Sequence, residues 1–386
     1  MRSIIRLVTR ITPAVWKLSA GSTALLVAMS PATARSAQVP PFHPVSVTFA
    51  SPAQGWVLGT GGCSMRVCLK LYETTDAGAS WSARRLPAAL VATRPMDRGV
   101  LEVRFADPRD GWIYGAPTGG SPTLWSTHNG GKAWLETRPG WLGRRSAIFD
   151  LEATAGRAYL LGSDDAGKVT LAGAATTGDD WHILSTPELL NPAGGGEQLG
   201  SLVLQGRSGW LLEGNDRGPT GSAHLDASRR WVAWTPPCAA VGNTFAVPAA
   251  ANARSLVAVC VMGGFAFPIS KAAPPGATIA STWLYVSEDG GDTFVAGPEL
   301  SRRPLGGDVL ASPVPGVVLL AEPRGLAQSL DGGAHWTVVY RGNLVYLGFT
   351  TPTQGVGIAV SPSGAANTTR LIMSYDGGRH WKQVGP

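Results

Sequence analysis

Nothing in this chain approaches the roughly 20 consecutive apolar residues that a membrane-spanning helix needs. The apolar stretch Thr23-Ala-Leu-Leu-Val-Ala-Met29 is far shorter. It follows Arg2, Arg6, Arg10 and Lys17 and precedes the small residues Ala32-Thr-Ala34 and Ala34-Arg-Ser-Ala37, the order of an export signal with two candidate cleavage sites. No cysteine lies there to carry a lipid, and no paired arginines mark a twin-arginine route. Residues 1–37 are therefore read as a signal peptide, the product as secreted or held in the bacterial envelope, without stable membrane insertion.

Charge of one sign is also missing. Residues 1–37 hold five of the 32 basic residues and none of the 26 acidic ones, so the net charge of +6 falls to +1 from Gln38 onward. A phosphate-neutralising surface has no compositional support, and nucleic acid is set aside as a partner. Charged residues make up only 15% of the chain, against 50 Gly, 29 Pro and 14 Trp. Gly and Pro interrupt helices while aromatics suit pleated surfaces, so an all-β protein is expected.

Cysteine is scarce but even in number. Cys63 and Cys68 can close a small loop in "CSMRVC", leaving Cys238 and Cys260 for each other. Three pairings are open, and the local one is the expectation, in keeping with an oxidising compartment. The spacings are not those of zinc knuckles, and no histidine neighbours either pair. The six histidines are scattered, "Glu288-Asp289-Gly-Gly-Asp292" and "Asp164-Asp165-Ala-Gly" lack the ligand alternation of calcium loops, and no phosphate loop or Gly-x-Ser-x-Gly elbow occurs. No metal or cofactor is implied.

What the chain does have is a repeat. Ser374-Tyr-Asp376-Gly-Gly378-Arg-His-Trp381 recurs as Ser329-Leu-Asp331-Gly-Gly333-Ala-His-Trp336, Ser287-Glu-Asp289-Gly-Gly291-Asp-Thr-Phe294, Thr127-His-Asn129-Gly-Gly131-Lys-Ala-Trp134 and Thr74-Thr-Asp76-Ala-Gly78-Ala-Ser-Trp81. Two weaker copies, Ala174-Ala-Thr-Thr-Gly178-Asp-Asp-Trp181 and His224-Leu-Asp226-Ala-Ser-Arg-Arg-Trp231, fill the gaps. The final aromatics are 53, 47, 50, 63, 42 and 45 residues apart, the period of a four-stranded propeller blade. Upstream of several frames run "GWVLG", "GWIYG" and "GWLLEG", and before those Val45–Phe49, Leu101–Phe105 and Val345–Phe349, so that each unit reads as a four-stranded meander with the frame at its last hairpin and the Trp opening the fourth strand. The frame's residues specify a turn: Asp or Asn accepts N–H groups one or two residues on, Ser or Thr does likewise, Gly supplies positive φ, and Trp covers the hairpin.

Ser/Thr-x-Asp-x-Gly-x-x-Trp resembles the Asp-box, or bacterial neuraminidase repeat, of sialidases, sortilin-type receptors, xyloglucanases and photosystem II assembly factors. The coupling of "GWVLG" strands to "DGGxxW" boxes is most similar to the assembly-factor-like exported propellers. The resemblance covers residues 43–386 and implies a single seven-bladed β-propeller and a monomer. A sialidase would carry an arginine triad, a Tyr nucleophile with a Glu partner and an acid/base Asp. Its first arginine sits in an Arg-Ile-Pro motif, which this chain lacks, and no arginine stands between Arg35 and Arg66.

The expected function is non-catalytic binding of an unknown protein or glycan partner as a scaffold or recognition module. The alternative is a glycosidase using carboxylates at the channel mouth, with Asp107, Asp110, Asp150 and Glu152 as candidates near inner strands. Two stretches depart from the blade pattern. One is 262–276, where Phe265 and Phe267 are candidate partner anchors; the other is 191–197. The arginine pairs at 84–85, 144–145, 229–230 and 302–303 are read as solvated faces.

Overall fold

The computed structural model describes residues 41–63, 66–91, 101–116, 121–187, 199–215, 218–237, 244–262, 282–300, 309–322, 325–360 and 368–386. They form seven four-stranded antiparallel sheets, each in sequence order from first to fourth strand. One short helix, Ala88–Val91, is the exception to the all-β fold. The first strands are His43–Phe49, Leu101–Phe105, Ala147–Thr154, Leu199–Gln205, Thr244–Ala250, Leu310–Ala311 and Leu344–Phe349. Successive first strands touch one another, so they form the inner wall of a seven-bladed propeller.

Each blade is hydrophobic on both faces because each is covered by two neighbours. The buried apolar residues accordingly fall into seven clusters, one per interface between consecutive blades. The Gly-Trp strands are central to this packing. Trp56, Trp112 and Trp210 are fully buried, and the Trp56 ring stacks on Phe105 of the next blade at 3.6 Å. The glycine before Trp112 is demanded by close approach: a Cβ on Gly111 would lie 2.5 Å from the Phe105 ring.

Ring closure joins the last blade to the first. Val47 and Val57 pack against Val356, Ile358, Leu371 and Met373. The Tyr375 hydroxyl donates to the Ala77 carbonyl at 2.6 Å, and Gln354 Nε2 to the Pro52 carbonyl at 2.7 Å. Hydrogen bonds and apolar contact therefore close the circle without a strand exchanged between blades.

The fourth strands begin one residue later than expected, at Ser82, Leu135, His182, Val295, Thr337 and Lys382; only Trp231 opens its strand. In the other copies the aromatic stays in the turn. Cys63 and Cys68 are disulfide-bonded across the hairpin between the second and third strands of blade 1. Cys260 is buried and disulfide-bonded, and Cys238 lies outside the described residues. Residues 1–37, Phe265, Phe267 and the stretch 191–197 also lie outside them. Among the described residues no helix is long and apolar enough to cross a membrane.

Candidate functional site

The five well-formed repeat turns share one hydrogen-bond pattern. In blade 7 the Ser374 hydroxyl donates to Asp376 Oδ1 at 2.9 Å and accepts the Gly378 N–H at 2.9 Å. Asp376 Oδ1 also accepts the N–H groups of Arg379 and His380, at 3.1 and 3.0 Å. The reach is thus three and four residues along the chain, longer than the one or two expected, because two glycines with positive φ, Gly377 and Gly378, curl the turn around the carboxylate. Asp76, Asp289 and Asp331 each accept the N–H four residues on, and so does Asn129 from Ala133. Trp336 and Trp381 donate through Nε1 to the carbonyls of Gly333 and Gly378. Trp81 and Trp134 pack edge-on against Phe49 and Phe105.

These bonds hold the carboxylates in the charged form. Hydrogen bonds from Ser80 and Thr74 bring Asp76 down to about 2. Burial works against Asp376, but the His380 and Ser374 bonds still lower it to about 2. Every acceptor is turned inward on its own hairpin, so these aspartates act as turn fasteners.

The two weak copies depart from that pattern. Ala174 offers no hydroxyl in blade 3; Gly178 N–H donates to the Ala175 carbonyl, and Trp181 packs against Trp112. In blade 4, Asp226 accepts the Arg230 N–H at 2.8 Å while its own N–H donates to the Arg230 carbonyl at 2.9 Å.

The chemistry at the centre of the ring comes from inner strands. Glu102 and Arg104 stand on the first strand of blade 2, Asp150 and Glu152 on that of blade 3, and Tyr346 on that of blade 7. Arg104 Nη2 lies 2.5 Å from Glu152 Oε1, and its Nε donates to the Leu151 carbonyl at 3.3 Å. The Tyr114 hydroxyl donates to Glu102 at 2.9 Å. Asp150 accepts the Leu202 N–H of blade 4 at 2.8 Å. One guanidinium therefore serves three carboxylates.

Burial raises all three acids above the usual carboxylate range. For Asp150 the charges of Glu152 and Glu102 add to burial and push it well up. For Glu102 and Glu152, Arg104 offsets part of the burial effect. Arg104 itself is held firmly charged: burial is the largest single effect and opposes the charge, but Glu152, Tyr346, Tyr114 and Asp150 together outweigh it. Such a group can store protons, fasten blades, or supply an acid to a ligand at the ring centre.

Of the four carboxylates named from the sequence, the structure brings Asp150 and Glu152 together and leaves Asp107 and Asp110 elsewhere. Asp107 accepts the N–H groups of Arg109 and Asp110 in the turn after the inner strand. Asp110 meets His128 Nδ1 at 2.7 Å, whose Nε2 faces Asp179 of blade 3 at 3.4 Å. Sequence reading missed Glu102 and Arg104. Their alternation in Leu101-Glu-Val-Arg-Phe105 was the available signal, because charge at every second position of an inner strand must face something other than the apolar interface. Among the described residues no three His, Cys, Asp or Glu side chains are arranged to hold a metal ion.

No family model and no curated protein matches this chain. Solved structures do. The propeller YCF48 bound to D1 peptide is 19% identical with a TM-score of 0.54, covering 87% of this chain and 94% of that one. The BP39L lectin from Burkholderia pseudomallei is 14% identical with a TM-score of 0.54, covering 90% and 99%. A polysaccharide lyase, an ulvan lyase bound to a glucuronate–sulfated rhamnose ligand, is 10% identical with a TM-score of 0.52, covering 90% and 96%. At these identities the shared property is the propeller fold, which hosts binding proteins and enzymes alike.

Proposed function

We propose that this chain is an exported Asp-box propeller that works as a non-catalytic binding scaffold for a protein or glycan. The observation that supports this reading is the engagement of the three central carboxylates among the described residues. Glu152 is held by Arg104, Glu102 by the Tyr114 hydroxyl and Asp150 by the Leu202 N–H, so three acids that could serve hydrolysis are instead engaged, two of them tying blade 3 to blades 2 and 4. The aspartates of the well-formed repeat turns are likewise occupied by donors of their own turns. Specificity then belongs to the faces of the ring, where loops and inter-blade grooves are free to vary without disturbing the core.

A likeness to a peptide-bound propeller and to a lectin agrees with a binding role, and the disulfide in blade 1 suits an oxidising compartment. The glycosidase reading draws on one observation, the raised proton affinity of Glu102, Asp150 and Glu152 at the ring centre. The purified protein should bind without releasing sugar from a broad glycan panel. Sugar release abolished by Glu152→Gln in a variant that keeps its fold would replace the scaffold with a hydrolase.

A further inference from the structure

A groove of about 610 Å³ lies where blade 3 meets blade 4. It is outside the central cluster. Three arginines border it: Arg157 at the start of the second strand of blade 3, and Arg229 and Arg230 in the turn of blade 4. Its walls include Tyr159, Trp231 and Leu184. Among the described residues no acidic side chain lines it. Asp226 of the same turn is engaged with Arg230, its Oδ2 3.4 Å from Arg230 Nη2 and its Oδ1 accepting the Arg230 N–H.

The turn that presents Arg229 and Arg230 departs from its sister turns in ways that favour this groove. Four of the five well-formed copies put two glycines in the left-handed region, and blade 1 puts the small residue Ala77 there with Gly78. Here Arg229 takes a φ of 62°, a conformation costly for any side chain with a Cβ. Trp231, which in other copies stays in the turn, opens the fourth strand, is 6% exposed and packs edge-on against Tyr159 at 5.6 Å. Arg229 Nη2 donates to the Tyr159 hydroxyl at 3.4 Å, which positions its guanidinium over the groove wall, while the Arg230 side chain remains 75% exposed.

We propose that this groove binds a linear acidic polysaccharide, one bearing carboxylate or sulfate groups, through Arg157, Arg229 and Arg230. The inference rests on the scaffold reading and names its ligand class. Guanidinium groups supply donors only, in a planar fork that matches carboxylate and sulfate oxygens, so the complementary ligand is anionic and rich in acceptors. The groove volume is in the range of small-ligand sites, enough for a short run of sugar units. A peptide added as a strand fits less well, because the outer strands bordering the groove are only two and three residues long, His182–Ile183 and Trp231–Ala233, and offer few backbone partners.

The test measures binding of the purified protein to polygalacturonate fragments, which carry carboxylates, and to heparin fragments, which carry sulfates, with dextran as the neutral control and poly-glutamate as the acidic peptide. One anionic glycan should bind, more weakly as salt rises, and dextran should not; the tighter of the two identifies the anion. The double variant Arg157→Gln, Arg230→Gln should bind at least tenfold more weakly. Arg229→Gly should also weaken binding while keeping or raising the melting temperature, because glycine relieves the left-handed backbone. A control pair on another exposed turn, Arg144→Gln with Arg145→Gln, should bind as the parent does.

Equal losses from the control pair, an unchanged affinity in the groove variants, no glycan binding at all, or tighter binding to poly-glutamate would each overturn the proposal. Failure of the scaffold reading has a separate signature. It is sugar release that depends on Glu152 and is indifferent to the three groove arginines.

Discussion

Arg104 of blade 2 and Glu152 of blade 3 meet at 2.5 Å in the inner wall of the ring, a guanidinium beside three half-buried carboxylates. Removing one partner of a buried pair leaves the other charge without compensation. Arg104→Met should therefore lower stability by about 3 kcal/mol near neutral pH. The acids already have folded-state proton affinities above their unfolded ones, so their contribution to stability is greatest at low pH and declines as pH rises through the raised values. The deficit in the variant should accordingly shrink on acidification, to be read from denaturant melts at pH 5 and pH 8. An equal deficit at both would show that Arg104 acts through packing alone.

Glu213 supplies a second pH test at a distance from that cluster. It is fully buried in the second strand of blade 4, where Gly59 and Gly115 stand in "GWVLG" and "GWIYG", and a register shift follows it. Burial raises it to about 7, with only Thr220 opposing. The folded-state value exceeds the unfolded one, so the stability it contributes is present below the ordinary carboxylate range and is lost as pH climbs through about 7. Glu213→Gln should stabilise the protein at pH 8.5 by up to about 3 kcal/mol, and change little at pH 4.5. Thermal melts at the two pH values check this.

His128 bridges two blades through Asp110 and Asp179. Burial draws its proton affinity down, but the Asp110 bond and the Asp179 charge outweigh this and leave it raised. The stabilisation is then complete below the ordinary histidine range and fades as pH rises through the raised value. His128→Gln should flatten the stability profile above pH 6 while leaving the melting temperature at pH 8.5 close to that of the parent. A parallel profile in parent and variant would remove His128 as the titrating link.

How much of this was legible in the sequence differs between fold and site. The blade count came from the spacing of Trp81 to Trp381, because a turn that bonds its own backbone needs the same few residue types wherever it occurs. The ring centre was only half legible. Asp150 and Glu152 stood out as acids on an inner strand, but Glu102 and Arg104 sit 48 residues earlier, and nothing local indicates that blades 2 and 3 bring them together. The groove was harder still. Arg229-Arg230 reads as a solvated pair on composition; only the left-handed Arg229 and the neighbouring Arg157, 72 residues away, make it the border of a cavity.

The turn of blade 7 allows the repeat chemistry to be separated from charge. Asp376 Oδ1 accepts two backbone N–H groups and the Ser374 hydroxyl, while Asn129 in blade 2 accepts the corresponding Ala133 N–H at 2.9 Å through an uncharged amide. Asp376→Ala should lower stability by about 1 kcal/mol or somewhat more, as lost capping bonds do. Asp376→Asn keeps the acceptor and should recover most of that loss at neutral pH. The two variants should also differ from the parent in acid. Asp376 titrates near 2 when folded, below its unfolded value, so its charge-linked contribution is present above the ordinary aspartate range and is lost as pH falls through about 2. Asn cannot take up that proton, so Asp376→Asn should be less sensitive to acid between pH 4 and pH 2 than the parent. Since Tyr375 of the same turn bonds Ala77 across the closure, a melting change confined to Asp376→Ala would place the effect in the turn acceptor rather than in the seam between blades 7 and 1.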